Sequence, residues 1–371
     1  MLPKEWDQQT RSAFQERLLS WYHKHKRAMP WRENPTPYRV WISELMLQQT
    51  RVDQVIPYFE RFMTAFPDVR TLARASLDQV LKCWEGMGYY ARARNMRRAA
   101  QQIVEAFEGR IPATTERLSE LPGIGPYTAA AISSIAYDRD VAVLDGNVIR
   151  VLCRLFDIRE EPNRSAIKKN LWEIAQALVP FGKAAAFNQA MMELGALVCT
   201  PKAPKCAVCP VEGFCRARRS GDPEALPKKR PRKVKPHYDV SAGIIWRDGR
   251  ILIAQRRPEG LLGGLWEFPG GKKESGETLE ECLMREIREE LDIEIAVEQF
   301  FMRIKHAYSH FRITLHTFHC TYIQGDPKTL ECAAFKWLEP EALSAYAFPR
   351  ADQKVLQALV GEEAESEKVR R

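Results

Sequence analysis

Four cysteines in "LVCTPKAPKCAVCPVEGFC", Cys199, Cys206, Cys209 and Cys215, follow the spacing C-x6-C-x2-C-x5-C. Four thiolates this close can surround a 4Fe-4S cluster or a zinc ion, and spacing alone does not choose between them. A second concentration of chemistry lies in "MREIREELDI", where helical spacing puts Glu286, Glu289 and Glu290 on one side. Clustered carboxylates repel one another, so such a face is either a seat for a hard cation or an ordinary solvated surface. A third set is dispersed. Glu44 stands among apolar neighbours in "PYRVWISELMLQQTRV", and Asp145 immediately precedes a Gly-Asn turn in "VAVLDGNVIRVLCRL". A carboxyl in apolar surroundings is pushed toward its protonated form and can act as a general acid, whereas one beside helix amides stays ionised. Taken singly, each reads first as a cap or a salt-bridge partner. Between them, "LSELPGIGPYTAAAISSIAY" gives a helix end, a glycine-rich turn and a second helix. Gly123 and Gly125 let backbone approach a ligand closely, and the following helix offers free amides to a phosphate.

The elements that must position these groups fall into two kinds. From Trp6 to about Arg216 the chain reads as successive amphipathic helices, such as "LDQVLKCWEGM" and "AIKKNLWEIAQALV", with little strand-like alternation. "RRSGDPEALPKKRPRKVKPH", from Arg218 to His237, has four prolines, a dense basic run and almost no apolar residues, a linker composition. After it, "DVSAGIIWRDGRILIAQRR" gives two β-branched runs around an Asp-Gly turn, "FRITLHTFHCTYI" another strand and "LEECLMREIREEL" a helix. In that helix Leu279, Leu283, Ile287 and Leu291 form an apolar stripe beside the glutamates.

At 371 residues the chain is long enough for two or three domains, and no internal repeat is visible. With 56 Lys and Arg against 48 Asp and Glu, a formal charge of +8 points to a polyanionic partner, nucleic acid first. There is no signal-like apolar run at the start and no stretch near the ~20 apolar residues of a membrane span, so the expectation is a cytoplasmic protein without a membrane partner. A reducing compartment argues against a disulfide framework. Cys83, Cys153, Cys282, Cys320 and Cys332 are expected to be small core residues.

Taken together, "WISELMLQQTRV", "GMGYYARARN", "LPGIGPYTA", "LDGNVIRVLCRL" and "MELGALVCT" followed by the cysteines closely resemble the MutY-type adenine DNA glycosylases of the endonuclease III superfamily. The resemblance covers nearly all of the N-terminal part and continues into the C-terminal one. It implies a multidomain protein: an all-α helix-hairpin-helix glycosylase domain over 1–216 with an iron-sulfur loop at 199–215, a basic proline-rich linker over 217–237, an α+β Nudix-like domain over 238–362 and a charged tail over 363–371. It also implies that Cys199, Cys206, Cys209 and Cys215 hold a 4Fe-4S cluster rather than zinc, that Glu44 protonates the adenine ring, and that Asp145 stabilises the cationic sugar through a transient covalent adduct. Cleaving an N-glycosidic bond needs a proton on the leaving base and a negative charge under an oxocarbenium-like sugar. The base must also leave the stack.

Tyr127 follows the hairpin where bifunctional relatives carry a Schiff-base lysine, so it joins the catalytic set and implies a monofunctional glycosylase without strong strand cleavage. By the same carry-over Gln49 and Tyr89 wedge into the duplex, beside the DNA contacts of Gly123 and Gly125. Gln189 stands where relatives can carry an acid; as an amide it is given no catalytic role. The expected partner is double-stranded DNA containing adenine opposite 8-oxoguanine or guanine, bound by a monomer. A non-catalytic DNA-binding or redox-sensing iron-sulfur protein would not need Glu44 and Asp145 together.

"GKKESGETLEECLMREIREELDI" fits the Nudix box G-x5-E-x7-R-E-U-x-E-E-x-G-U, with only Asp292 departing from it. The resemblance to MutT-type Nudix enzymes makes Glu286, Glu289 and Glu290 magnesium ligands, with Glu277 a further box acid and Glu331 a ligand from a loop. Arg256 and Asp352 fall where such enzymes contact the nucleotide, here 8-oxo-dGTP. Against this, "HAYSHF" resembles the loop with which MutY-type proteins recognise 8-oxoguanine, which gives that task to Tyr308, Ser309 and His310. A purely recognising domain should tolerate loss of Glu289 and Glu290; a hydrolase should not.

Overall fold

The structure, a computed structural model, describes residues 2–228 and 234–370, with side chains as far as 361. It divides into two compact units, Met1–Ala73 with Arg98–Arg232, and Arg74–Arg97 with Lys233–Arg371.

The first unit is helical throughout its described residues. The hairpin expected from the glycines is present: a short helix Thr115–Ser119, a turn in which Gly123 takes φ 77°, and the helix Pro126–Tyr137. Pro126 opens that helix because its fixed φ suits the first turn and its missing N–H would be unpaired there anyway. Residues 128–134 are all buried and mostly small, so this helix packs closely on Pro37–Leu47, whose Val40 to Met46 are buried in turn. Helix Gly146–Leu155 begins where the Asp145 carboxylate accepts from the Val148 amide at 2.7 Å. It packs on Ala184–Leu197, and Gly195 is what permits the approach: a Cβ there would lie 2.6 Å from the Asn147 Cβ. Phe14, Leu18, Leu152, Leu171, Phe187 and Leu194 fill the core behind these helices.

Two residues of the expected linker belong to that core. Ala217 and Leu226 are buried in it, and Arg154 donates from Nε to the Leu226 carbonyl at 3.0 Å. Proline and charge density around them conceal two apolar anchors, so packed structure reaches 226 rather than ending at 216. Residues 229–233 of the same stretch lie outside the described residues.

The second unit is a mixed seven-stranded sheet between two helices. Its strands are β1 His237–Arg247, β2 Arg250–Arg256, β3 Trp266–Glu267, β4 Gly270–Lys272, β5 Glu294–Ala307, β6 Arg312–Gln324 and β7 Cys332–Leu338, in the order β3-β2-β1-β6-β5 with β4 on β1 and β7 on β2. The Asp-Gly hairpin forms as expected, with Asp248 and Gly249 both left-handed at φ 49° and 72°. β1 and β6 run parallel and β5 pairs antiparallel with β6. The stripe Leu283, Ile287 and Leu291 of helix Leu279–Leu291 covers one face, and Phe348, Ala351, Val355 and Leu359 cover the other. The helix Arg350–Arg370 takes in most of the expected tail. Cys153, Cys282, Cys320 and Cys332 are buried, while Cys83 is only partly so. Among the described residues no helix is long and apolar enough to cross a membrane.

Candidate active site

Glu44, Tyr127 and Asp145 come from three helices of the first unit and line one cavity of about 460 Å³. Glu44 lies on the buried side of Pro37–Leu47, and the Tyr127 hydroxyl donates to its Oε2. Burial pushes the Glu44 carboxyl up to about 7; the Tyr127 bond lowers it, and the nearby Asp145 charge raises it. The protonated glutamate expected from an apolar setting is what the cavity produces.

Asp145 departs from expectation in one respect. Its Oδ1 accepts from the Val148 amide and its Oδ2 from the Asn147 side chain at 2.8 Å, both favouring the anion. Burial nevertheless outweighs these bonds, and its pKa is raised. Helix amides alone therefore do not set this group, as a cap at the surface would suggest. Two hydrogen bonds and the Arg150 charge favour the Asp145 anion, while on Glu44 the Tyr127 bond and the Arg32 charge work against burial.

The rest of the wall was not legible from motifs. Glu193 sits almost fully buried between two arginines, accepting from Arg27 Nε at 2.7 Å and Arg32 Nη2 at 3.1 Å. Arg32 also donates from Nε to Gln189 Oε1 at 3.0 Å, so Gln189 lies in the cavity wall as an acceptor held by arginine. Gln189, Met192, Glu193 and Ala196 recur at helical spacing and all face the cavity. An acid inside the apolar run "AMMELGAL" was the available signal for Glu193.

Gln49 is exposed with φ 59°, and Tyr89 is 42% exposed with φ 49°. A left-handed backbone on bulky non-glycine residues costs on the order of 1–3 kcal/mol and marks sites held for a purpose. Gly123 and Gly125 are exposed at the hairpin, and a Cβ on Gly125 would meet nothing within 4 Å, leaving its surface open.

The four cysteines Cys199, Cys206, Cys209 and Cys215 line one small cavity together with Arg154. Arg154 Nη1 donates to Cys199 Sγ at 3.3 Å, the partner a thiolate calls for. Among the described residues no three His, Cys, Asp or Glu side chains converge on a single metal-ion position.

In the second unit the acids separate into two groups. Arg285 holds Glu277, Glu286 and Glu289 with bonds of 2.9 to 3.0 Å, and it draws Glu277 down to about 2. Gly271 leaves room for the Glu286 carboxylate, which a Cβ would meet at 2.1 Å. Glu290 and Asp352 face inward toward Glu267, a residue sequence reading missed, and burial followed by the Glu267 charge raises each to about 8. Arg256 pairs with Glu267 at 2.5 Å, and Glu331 is exposed. Asp292 takes the place of the box glycine in the left-handed conformation that position demands, φ 56°, with Lys328 on its carboxylate at 2.7 Å. Tyr308 is half-buried and packs between His306 and Phe311, at ring distances of 4.6 and 4.9 Å. Ser309 and His310 are exposed at the turn, and Ser309 Oγ lies 2.6 Å from the Tyr89 hydroxyl.

The chain matches the model of the HhH-GPD superfamily of base excision DNA repair proteins over residues 42–177 and that of the NUDIX domain over 241–358. An adenine DNA glycosylase of Rattus norvegicus is 37% identical over 93% of this chain and 77% of its own length. One of Homo sapiens is 35% identical over 95% and 75%. Among solved structures, a thermostable thymine-DNA glycosylase superposes with a TM-score of 0.53 at 28% identity, covering 57% of this chain and 98% of that one.

Proposed function

The chain belongs to the adenine DNA glycosylases of base excision repair, hydrolases of N-glycosyl bonds, and from that premise we propose that it releases adenine paired with 8-oxoguanine or guanine. The observation that carries the mechanism is the meeting of Glu44 and Asp145 in one cavity, Glu44 raised to about 7 by burial and Asp145 given two hydrogen-bond donors.

The extruded adenine takes the Glu44 proton as the bond between C1′ and the base breaks and its electron pair passes to the base. The sugar is left cationic, and the Asp145 carboxylate stabilises it by charge and by transient bonding to C1′. Water then supplies hydroxide to C1′, and its proton returns to Glu44. Tyr127, with its pKa raised well above 10 by burial and the two acids, holds the Glu44 carboxyl in place. It has no amine for a Schiff base, which fits a monofunctional enzyme.

Tyr89 and Gln49 are assigned to the base stack, and Ser309 and His310 to the edge of the oxidised partner base. Tyr308 supports the turn from beneath. Cys199, Cys206, Cys209 and Cys215 would hold a 4Fe-4S cluster, whose part is to brace the loop between 199 and 215. Without a cation, Arg285 holds Glu286 and Glu289, while burial and the Glu267 charge raise Glu290. We read the C-terminal unit as recognising the partner base, supported by Ser309 standing 2.6 Å from the Tyr89 hydroxyl. Release of pyrophosphate from 8-oxo-dGTP and magnesium, above a Glu290→Gln control, would overturn it.

The glycosylase reading is tested by adenine release from a duplex carrying adenine opposite 8-oxoguanine, comparing wild type with Glu44→Gln and Asp145→Asn. Both variants should lose at least about a hundredfold. Equal rates in all three would reject the mechanism.

A further inference from the structure

Tyr89 is an unusual residue to find where it is, because an aromatic ring on a left-handed backbone must be held there by something. The turn before it is left-handed at Gly86, φ 92°, and Gly88, φ 70°, as well as at Tyr89 itself. Three groups pin this turn. The Trp84 indole donates to the Gly88 carbonyl at 3.1 Å, the Tyr90 hydroxyl accepts from the Gly86 amide at 3.1 Å, and Arg92 Nη2 donates to the carbonyls of Met87 and Gly88 at 3.3 and 3.1 Å. Arg92 does a second thing: its guanidinium carbon lies 5.2 Å from the Trp84 ring centre and 5.4 Å from that of Tyr89.

We propose that Arg92 is the positioning residue of the Tyr89 wedge, gripping the strained turn through its carbonyls and backing the exposed ring with its guanidinium. The inference rests on the assignment of Tyr89 to the base stack. A planar cation can do both tasks at once, since its edges donate in the plane while its face meets an aromatic ring. Burial lowers the Arg92 pKa to about 10, which leaves it charged at neutral pH. With Arg92 in place, entering the duplex costs no further ordering of the ring, so the effect belongs to engagement of the lesion and not to bond cleavage.

The test uses the full chain and a duplex in which the target adenosine carries a 2′-fluorine that slows its hydrolysis, with 2-aminopurine stacked beside the mispair. Arg92→Met should weaken half-saturation roughly tenfold and remove most of the 2-aminopurine brightening, while adenine release from the saturated unmodified duplex changes by less than about threefold. Arg92→Lys keeps the charge without the fork and should fall between. Tyr89→Ala should match Arg92→Met, and the double variant should be no worse than either single one. Should Arg92→Met unfold the protein, the same comparison is made with Arg92→Lys. Normal binding and brightening in the Arg92 variants, alongside loss in Tyr89→Ala, would overturn the inference. So would additive losses in the double variant. Unchanged binding in Tyr89→Ala would instead remove the wedge assignment on which it stands.

Discussion

Raising the pH should switch the protein off by taking one proton from Glu44. That carboxyl is raised from its ordinary 4.5 to about 7 because burial disfavours its anion, so below pH 7 it is mostly protonated and can act as an acid. At pH 8 only about one molecule in ten retains the proton, and above pH 7 the single-turnover rate should fall about tenfold per unit. Glu44→Gln should be slower by about a hundredfold or more at pH 6 and should show no such decline. The same shift has a consequence for stability, with a definite sign. A raised carboxyl makes the folded state bind more protons than the unfolded one, so its favourable contribution is lost as pH rises from about 4.5 through 7. Relative to Glu44→Gln, the wild type should lose about 2 kcal/mol between pH 5.5 and pH 8, read from urea unfolding of both proteins. The assay is adenine release under enzyme excess, from pH 5.5 to 9. A wild-type rate that is level from pH 6 to 8.5, or a decline in Glu44→Gln as steep as in the wild type, would refute the assignment of the proton to Glu44.

Gly195→Ala puts a methyl 2.6 Å from the Asn147 Cβ, in the joint that fixes Asp145; it should cost about 1–3 kcal/mol in unfolding free energy and slow adenine release while leaving duplex binding nearly intact. A wild-type rate would show that the joint yields without moving Asp145. Glu193→Gln leaves Arg27 and Arg32 without their shared carboxylate, and urea unfolding should register a loss of about 3 kcal/mol; a loss below ~1 kcal/mol would mean that water already screens the pair. Ser309→Ala removes the hydroxyl beside Tyr89 and should reduce the preference for 8-oxoguanine over guanine as partner about tenfold, compared as rates on the two duplexes. An unchanged preference would take Ser309 out of base recognition.

Legibility followed the range of the interactions. Helix spacing alone gave the stripe Leu283, Ile287 and Leu291 and its burial, and the Asp248-Gly249 pair was readable because its turn type demands left-handed residues. β5 was not readable: its register with β6 shifts between Val297 and Phe300 and again between Phe300 and Met302, which breaks the period of two that marks a strand. The anchors Ala217 and Leu226 were masked by the prolines and charges around them, and the place of Leu77–Trp84 in the second unit depends on contacts far along the chain, Asp78 with Trp266 and Lys82 with the Tyr346 carbonyl. At the active site, the resemblance supplied the two acids and the fold supplied the residues that tune them. Glu193 lies 166 and 161 positions from Arg27 and Arg32 and meets them only in the folded cavity.

Glu44 and Asp145 differ in the hydrogen-bond donors each finds. Both are buried, and burial raises both. Asp145 caps a helix and so collects the Val148 amide along with the Asn147 side chain; Glu44, in mid-helix, has its own backbone amides already spent and receives a single phenol. A cap position supplies donors at no extra structural cost, whereas a mid-helix position supplies none. On the proposed mechanism, the division of labour between proton donor and anion follows from where each acid stands on its helix. Moving the donors should move the roles: replacing Asn147 by Leu leaves Asp145 one bond fewer, makes its anion harder to form, and should extend loss of adenine release on the acid side of the pH profile. An acid limb identical to that of the wild type would show that the Val148 amide and the Arg150 charge suffice to keep Asp145 ionised.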